Sequence, residues 1–155
     1  MARLIADGEI RVHWVTTIAN TAAPTVAEIN AGTNITPFLS SVDTPNEGEA
    51  VPANDLSSAF NKTVPGRFGG QASIDAFRDD TADTAYTLFP RNTTGYLVIR
   101  RFGGSDTAFA AAQKVDVWNV RVITRSAATL DSGSIQMFTV NLATLDEPDE
   151  NVSVV

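Results

Sequence analysis

The feature that most limits the fold of this chain is a series of short segments in which apolar residues recur at every second position. In residues 9–19, Ile10, Val12 and Trp14 alternate with other side chains, and a period of two returns in residues 71–79. Side chains of a β-strand point alternately to opposite faces, whereas a helix repeats every 3.6 residues. The chain is therefore expected to fold mainly into strands.

Runs of alternating or β-branched residues that are bounded by turn residues predict the positions of the strands. They lie at residues 9–19, 35–42, 71–79, 95–102, 114–125 and 134–142. The end of the first run loses its alternation, which is typical of a strand buried on both faces. Six or seven strands without long helical patterns predict a mainly β fold, a β-sandwich or partly open barrel.

One or two short helices complete this prediction. Thr25 and Glu28 form a capping box behind Pro24, and Gly32 is a suitable stop about seven residues later. Residues 80–90 fit either a short helix or a loop. Residues 109–112 are rich in Ala and fit one further helical turn.

Length and composition exclude several classes of protein. The chain has 155 residues, which fits a single domain over residues 1–155. With 43% hydrophobic and 19% charged residues it is not a disordered chain. It has no Cys and one His, so thiolate chemistry, Cys-ligated metals and multi-His metal sites are excluded. Residues 1–10 lack the apolar run of a secretory signal, and no stretch predicts a membrane span.

Residues 43–70 interrupt the alternating pattern. Three of the seven prolines and four of the ten glycines fall in this segment. Structureless connections beyond about 12–15 residues are uncommon in compact domains and are usually functional or disordered. The sequence therefore predicts a long loop or an extended arm at residues 43–70.

Charge is unevenly distributed along the chain, although the net charge is −7. Residues 1–61 carry seven acids and two bases, residues 62–130 carry six acids and nine bases, and residues 131–155 carry five acids and no base. Residues 145–155 are predicted to form an acidic C-terminal tail. Opposite charges on different parts of one surface favour head-to-tail contacts between copies, which make rings or filaments.

No set of residues predicts catalysis or a cofactor. His13 is the only imidazole and no Gly-x-Ser-x-Gly elbow accompanies it. The acids at Asp79, Asp80 and Asp83 are interpreted as solvated turn residues, and the oxygen ligands near Gly48 lack the spacing of an EF-hand. We expect no enzyme activity, no metal and no cofactor.

Several phrases of the sequence resemble a known family over most of the chain. They lie at residues 57–60 (SSAF), 63–68 (TVPGRF), 74–80 (IDAFRDD), 95–101 (GYLVIRR) and 115–122 (VDVWNVRV). In these phrases the chain resembles the major tail tube proteins of long-tailed, non-contractile bacteriophages.

The resemblance implies a structural subunit rather than an enzyme. Six copies would form a ring whose inner sheets join into one β-barrel, and stacked rings would conduct viral DNA without binding it specifically. The long loop and the termini would bridge adjacent rings. Implied partners are other copies of the chain and the tape measure, tail tip and terminator proteins, with no membrane. The protein would be made in the host bacterial cytoplasm and reside in the virion tail.

Candidate residues follow from this expectation. An acidic wall repels DNA phosphates and so favours sliding. The acids on strand-like runs are the candidates for the lumen: Asp75, Asp79 and Asp116. The candidates for contacts between subunits or rings are Glu47, Glu49, Asp55, Phe60, Arg67, Arg100, Arg101 and Arg121.

Two alternatives remain open at this stage. One is another β-module of a virion, such as a capsid decoration protein or a tail-tip adhesin. The other is a small β-fold hydrolase or sugar-binding enzyme, which would need two carboxyl groups placed across a cleft.

Overall fold

The computed structural model describes residues 1–155 and is mainly β, as predicted. The strands are β1 (Arg11–Val15), β2 (Thr33–Asn34), β3 (Leu39–Asp43), β4 (Glu47–Pro52), β5 (Thr63–Gly69), β6 (Gln71–Phe77), β7 (Thr94–Arg100), β8 (Lys114–Ala127), β9 (Met137–Thr144) and β10 (Asp149–Ser153). The helices are α1 (Val26–Asn30) and α2 (Thr84–Leu88), with a 3₁₀ turn at Thr36–Phe38.

Eight strands belong to one antiparallel sheet with the order β2-β1-β7-β8-β9-β6-β3, and β10 pairs with β8 off this path. Strands β4 and β5 pair only with each other and form a separate hairpin. Because β8 is 14 residues long, its two halves have different neighbours. The first half lies between β7 and β10, and the second half pairs with β9.

The main core lies between the two parts of this sheet. Trp14 of β1, Leu97 of β7 and Trp118 of β8 pack in one cluster with Ile74 of β6 and Phe138 of β9. These residues come from both ends of the strand order, so the sheet must bend over and pack on itself as a sandwich. The register shift between Val122 and Thr124 of β8 marks an irregularity where such a bend is easily made.

A second, smaller core covers the opposite face of β1, β7 and β8. Val15, Val98 and Val117 pack there against Ile29 of α1 and Val154 near the C-terminus. The central strands are therefore buried on both faces. This explains why the alternation fades at the end of the first predicted strand.

The predicted capping box fixes the start of α1. The Thr25 hydroxyl accepts a hydrogen bond from the Glu28 amide at 3.2 Å, and the Glu28 carboxylate accepts from the Thr25 amide at 3.0 Å. The same carboxylate accepts from the Ala19 amide at 3.0 Å. These hydrogen bonds from the Thr25 and Ala19 amides lower the pKa of Glu28.

Several element boundaries differ from the prediction. The first strand covers only residues 11–15 of the expected 9–19, and residues 80–90 contain a single helical turn at α2. Residues 109–112 form a turn rather than a helix, and Ala112 has a positive φ of 67°. Residues 149–153 are a strand, β10, where the sequence predicted a tail, because their backbone finds the open edge of β8.

His13 occupies the second core in one defined tautomer. Its Nδ1 lies 3.0 Å from the Ile29 carbonyl oxygen, and Arg11 Nε donates to its Nε2 at 3.2 Å. Nδ1 must therefore carry the proton. Desolvation by burial lowers the pKa of His13, with the charges of Arg11 and Arg100 acting in the same direction and the Ile29 hydrogen bond opposing them.

We predict that stability falls when the pH is lowered from 7.5 to 5. The unfolded chain binds a proton at His13 near pH 6.5, whereas the folded chain resists it, so stability is lost below that pH. Each pKa unit between the two states corresponds to about 1.4 kcal/mol. Urea unfolding at several pH values measures this slope, and His13→Gln should flatten it. An equal slope in both proteins contradicts the assignment.

Candidate interaction surfaces

One face of the sheet formed by β3, β6, β9 and the second half of β8 is polar and uncovered. Residues 72, 74 and 76 of β6 point into the main core, so residues 73, 75 and 77 point outward. At the centre of this face the outward side chains are small and mostly hydroxylated or amidic, whereas Phe77 and its cross-strand partner Met137 lie at its end. The central ones are Ser41, Ser73, Thr124, Ser126, Thr139 and Asn141.

Asp75 lies in the middle of this polar face. Its two carboxylate oxygens accept hydrogen bonds from Ser41 on β3 at 2.8 Å and from Thr139 on β9 at 2.6 Å. It forms no ion pair with a cation of the chain. The negative charge is thus fixed in position by neutral donors on both neighbouring strands and stays uncompensated.

The polar face ends in two unpaired strand edges. β3 is the last strand of the sheet, and residues 123–127 of β8 extend past the region where β7 pairs with it. The registers place Leu39 level with Ala127, and Asp43 level with Thr124. The two free edges therefore have similar lengths at the same height. Unpaired edges of this kind are ready to pair with another chain.

The hairpin of β4 and β5, which we call the arm, lies within residues 43–70, the segment that the sequence predicts as a long loop or an extended arm. Its two strands carry Pro52 and Pro65 and a register shift after Gly48, which hid the strand pattern in the sequence. At its base, a Cβ on Gly70 would lie 1.9 Å from the Pro45 carbonyl oxygen. Only glycine therefore allows the two strands to leave the sheet together.

The arm has no core of its own. Its apolar side chains are largely exposed: Val51 at 38%, Leu56 at 107%, Phe60 at 76%, Val64 at 48% and Phe68 at 59%. Such a concentration of exposed apolar side chains on one projection marks an interaction surface.

The predicted charged residues of the arm are also exposed. Glu47, Glu49 and Arg67 form no ion pair, whereas Asp55 pairs with Lys62 at 2.7 Å near the tip. The hydrogen bond from Lys62, with further ones from Ser57, lowers the pKa of Asp55.

Arg100 does not lie on the surface, so its expected role as a contact between subunits is wrong. It is 1% exposed, and its guanidinium donates to the carbonyls of residues 104, 107 and 108 and to the Gln113 side chain, at 2.5–3.2 Å. It also lies 4.9 Å from the centre of the Phe109 ring. Arg100 thus holds the loop between β7 and β8 in place.

Asp116 is also buried, so its expected place on the wall of the lumen is wrong. It is 6% exposed, and its carboxylate accepts from Arg101 Nε at 2.5 Å and from the Asn151 amide at 2.7 Å. A buried carboxylate that is already paired offers little free charge to a passing polyanion. The same ion pair occupies Arg101, which was a candidate for contacts between subunits.

The two remaining candidates lie in different places. Asp79 follows β6 in a turn, where its carboxylate accepts from the Thr81 amide at 3.2 Å. Arg121 is exposed on β8, and its Nε donates to the Asn92 carbonyl at 3.3 Å. Asp75 and Arg121 belong to the polar face and its free edge, and Asp79 lies at the end of that face.

The sequence did not identify the free edges or the hydroxyl groups that hold Asp75. The alternating Ser and Thr residues of β8 and β9 were a signal for an exposed strand face, but strand order cannot be read from spacing.

None of the helices is long and apolar enough to cross a membrane.

Comparison with known proteins gives these surfaces a context. No curated protein sequence matches the chain. One chain in the solved structure of the sheath/tube terminator of an extracellular contractile injection system has a TM-score of 0.63 at 11% identity, over 96% of both chains. A chain of the anti-feeding prophage baseplate has a TM-score of 0.58 at 12% identity, over 94% of this chain and 95% of that one.

A third solved structure is the tail of an empty gene transfer agent particle, refined with C6 symmetry. One of its chains has a TM-score of 0.54 at 14% identity, over 96% of this chain and 98% of that one. At such identities the likeness establishes a shared fold. The model of the family described as phage tail tube protein matches residues 1–155. The chain therefore belongs to the phage tail tube protein family and is a structural component of a virion tail.

Proposed function

We propose that this chain is the repeating subunit of a hollow tail tube, assembled from stacked six-membered rings. The observation that carries the proposal is the polar face, which is bounded by one free edge on β3 and another on β8. Strands β3, β6, β9 and β8 alternate in direction. When the β8 edge of one copy meets the β3 edge of the next, the new pair is antiparallel as well.

Six copies would contribute four strands each to a closed barrel. At a spacing of about 4.8 Å between strands, the barrel would be roughly 37 Å across, and strand tilt would widen it further. Closure would also remove every exposed edge from the polar face. The sixfold symmetry of the gene transfer agent tail supports the ring size, since a chain of that tail shares this fold.

The arm leaves the sheet beside Gly70, whereas the loop between β8 and β9 lies at the opposite end of the same strands. In a stack of rings, the exposed apolar side chains of the arm would thus reach the adjacent ring. The polar face would line the lumen, and the unpaired charge of Asp75 would repel DNA phosphates during transit.

Electron microscopy of the purified protein tests the proposal directly. We expect hollow stacked rings, with six copies counted in top views and by native mass spectrometry. A protein that stays monomeric in all conditions that polymerise other tail tubes, or that closes only into trimers, would overturn the proposal and favour the decoration protein or adhesin.

We predict that replacing residues 47–69 with a short Gly-Ser link leaves a folded subunit that forms no tube. The arm strands pair only with each other, so the cores stay intact. Circular dichroism checks the fold, and light scattering checks polymerisation. Lys62→Ala, which loses only the exposed tip ion pair, is the control and should polymerise normally. Tubes formed by the armless variant would show that the arm does not join rings.

We predict that Asp75→Lys slows DNA passage about two- to tenfold while leaving the tubes intact, because it places a ring of cations on the wall. Asp75→Asn, which keeps most of the shape, should have a smaller effect. Ejection from particles carrying each variant measures the rate. Glu150→Lys on β10 makes the same charge change outside the polar face and should eject DNA normally. Equal rates for Asp75→Lys and wild type would place Asp75 away from the lumen.

A further inference from the structure

Three exposed acids without partners lie on the side of the subunit that carries the free edge of β3, and two of them line a cleft. Asp7, Asp43 and Asp106 form no ion pair, and none of their side chains accepts a hydrogen bond from the chain. Asp7 and Asp106 line the cleft, whereas Asp43 at the end of β3 pairs with Ser73, so its side chain lies on the polar face. We call these three residues the acidic edge.

The cleft itself is a cavity of about 620 Å³ between β1 and β3. Its apolar wall comes from both parts of the sheet and consists of Ile10, Val12, Leu39, Val42 and Ile99. The cleft is thus the place where the sandwich stays open, because β3 has no partner strand on this side. Arg101 also lines it, but the ion pair with Asp116 already balances its charge.

Arginines without acidic partners lie at the other free edge. Arg91 precedes Asn92, whose amide donates to the Val122 carbonyl at the point where the unpaired part of β8 begins. Arg91 makes no hydrogen bond, and Arg121 contacts only the Asn92 carbonyl. Arg125 donates to the Tyr86 carbonyl at 2.6 Å and lies over the Tyr86 ring. We call Arg91, Arg121 and Arg125 the basic edge.

We propose that the basic edge of one copy docks against the acidic edge of the next copy, with the turn at residues 90–93 covering the cleft. The inference rests on the proposed ring and names its lateral interface. Asp43 and Thr124 are level in the sheet, so pairing β3 beside β8 without stagger brings Asp43 next to the start of the neighbour's free edge. Arg91 and Arg121 lie at that same point.

Charge complementarity identifies the occupant of the cleft. No residue of the acidic edge and no residue of the basic edge forms an ion pair within the subunit. The charge of Arg125 already acts on Asp83, so Arg91 and Arg121 are the arginines best placed to meet the acids of a neighbour. Exposed ion pairs are individually weak, but complementary patches fix register and speed association. The pairing also forbids the reverse contacts, β3 with β3 or β8 with β8, because like charges would then meet.

Charge reversal tests this interface. Arg91→Glu with Arg121→Glu should raise the critical concentration for polymerisation about tenfold or more at low salt. Adding Asp43→Arg and Asp106→Arg to the same chain should restore assembly, because the two edges are complementary again. All four side chains are exposed, so folding should be unchanged. The defect should shrink near 1 M salt, where the screening length is about 3 Å.

Lys114→Glu with Arg3→Glu is the matched control, since it makes the same charge change away from the basic edge. A control that assembles normally supports the specific contact, and a control as defective as Arg91→Glu with Arg121→Glu overturns it. Normal assembly of the reversed variant, or failure of the four-residue variant, also overturns the inference while wild-type tubes still stand. Absence of tubes from the wild type would instead remove the proposed ring itself.

The absence of Cys allows an independent measurement on wild-type-like tubes. Arg91→Cys combined in turn with Asp7→Cys, Ser105→Cys or Asp106→Cys should give at least one pair whose oxidation yields a ladder of covalent oligomers. A disulfide requires Cα atoms within about 7 Å. Assembled tubes that yield no ladder with any of the three pairs would place the turn outside the cleft.

Discussion

The continuity of β8 is the constraint on which the rest of the structure depends. One 14-residue strand supplies Trp118 and Val120 to the main core and Val115 and Val117 to the second core. It also links β7 and β10 to β9, so both parts of the sheet are hydrogen-bonded to the same backbone. Residues 123–127 of β8 extend beyond the end of β7 and have no partner strand on that side. The strand that organises the core therefore also carries a free edge. The core-forming half and the free edge are therefore two ends of one strand, and a change in the length or register of β8 would affect both.

Arg100 is a buried cation whose role is structural. Its guanidinium reaches four acceptors in the loop between β7 and β8 and no carboxylate. Burial and the nearby charge of Arg11 lower the pKa of Arg100. A cation in such a site costs desolvation energy. The four hydrogen bonds of the two terminal nitrogens offset part of that cost, whereas the buried Nε has no partner in the subunit. The result is a rigid loop that carries Ser105 and Asp106 at the rim of the cleft, so the buried charge positions the exposed one.

The sequence predicted what depends on local pattern. The mainly β class, the capping box of Thr25 and Glu28 and most strands follow from alternation and turn chemistry. The hydrogen-bond and ion-pair partners of individual side chains could not be predicted, because they depend on the order of the strands in the sheet. Asp75 and Asp116 have the same local appearance, yet the sheet leaves one uncompensated on an open face and pairs the other with Arg101. Arg100 and Arg101 are adjacent, and the strand's alternation sends one inward and the other outward. The arm was recognised as unusual, but its prolines concealed that it is a hairpin.

The backbone hydrogen bonds inside the subunit are paired, whereas unpaired strand edges and exposed apolar side chains remain at defined places on its surface. The buried main-chain ladder is paired throughout the central strands, whereas both ends of the polar face have free edges and the arm exposes Leu56 and Phe60. Isolated edges and apolar projections normally invite uncontrolled aggregation. In the proposed ring, the acidic and basic edges would restrict lateral contacts to one orientation, and the arm projects from one end of the strands only. If each surface meets a different part of the next copy as proposed, growth would be limited to one direction around a ring and one along an axis. That is the geometry a tube requires.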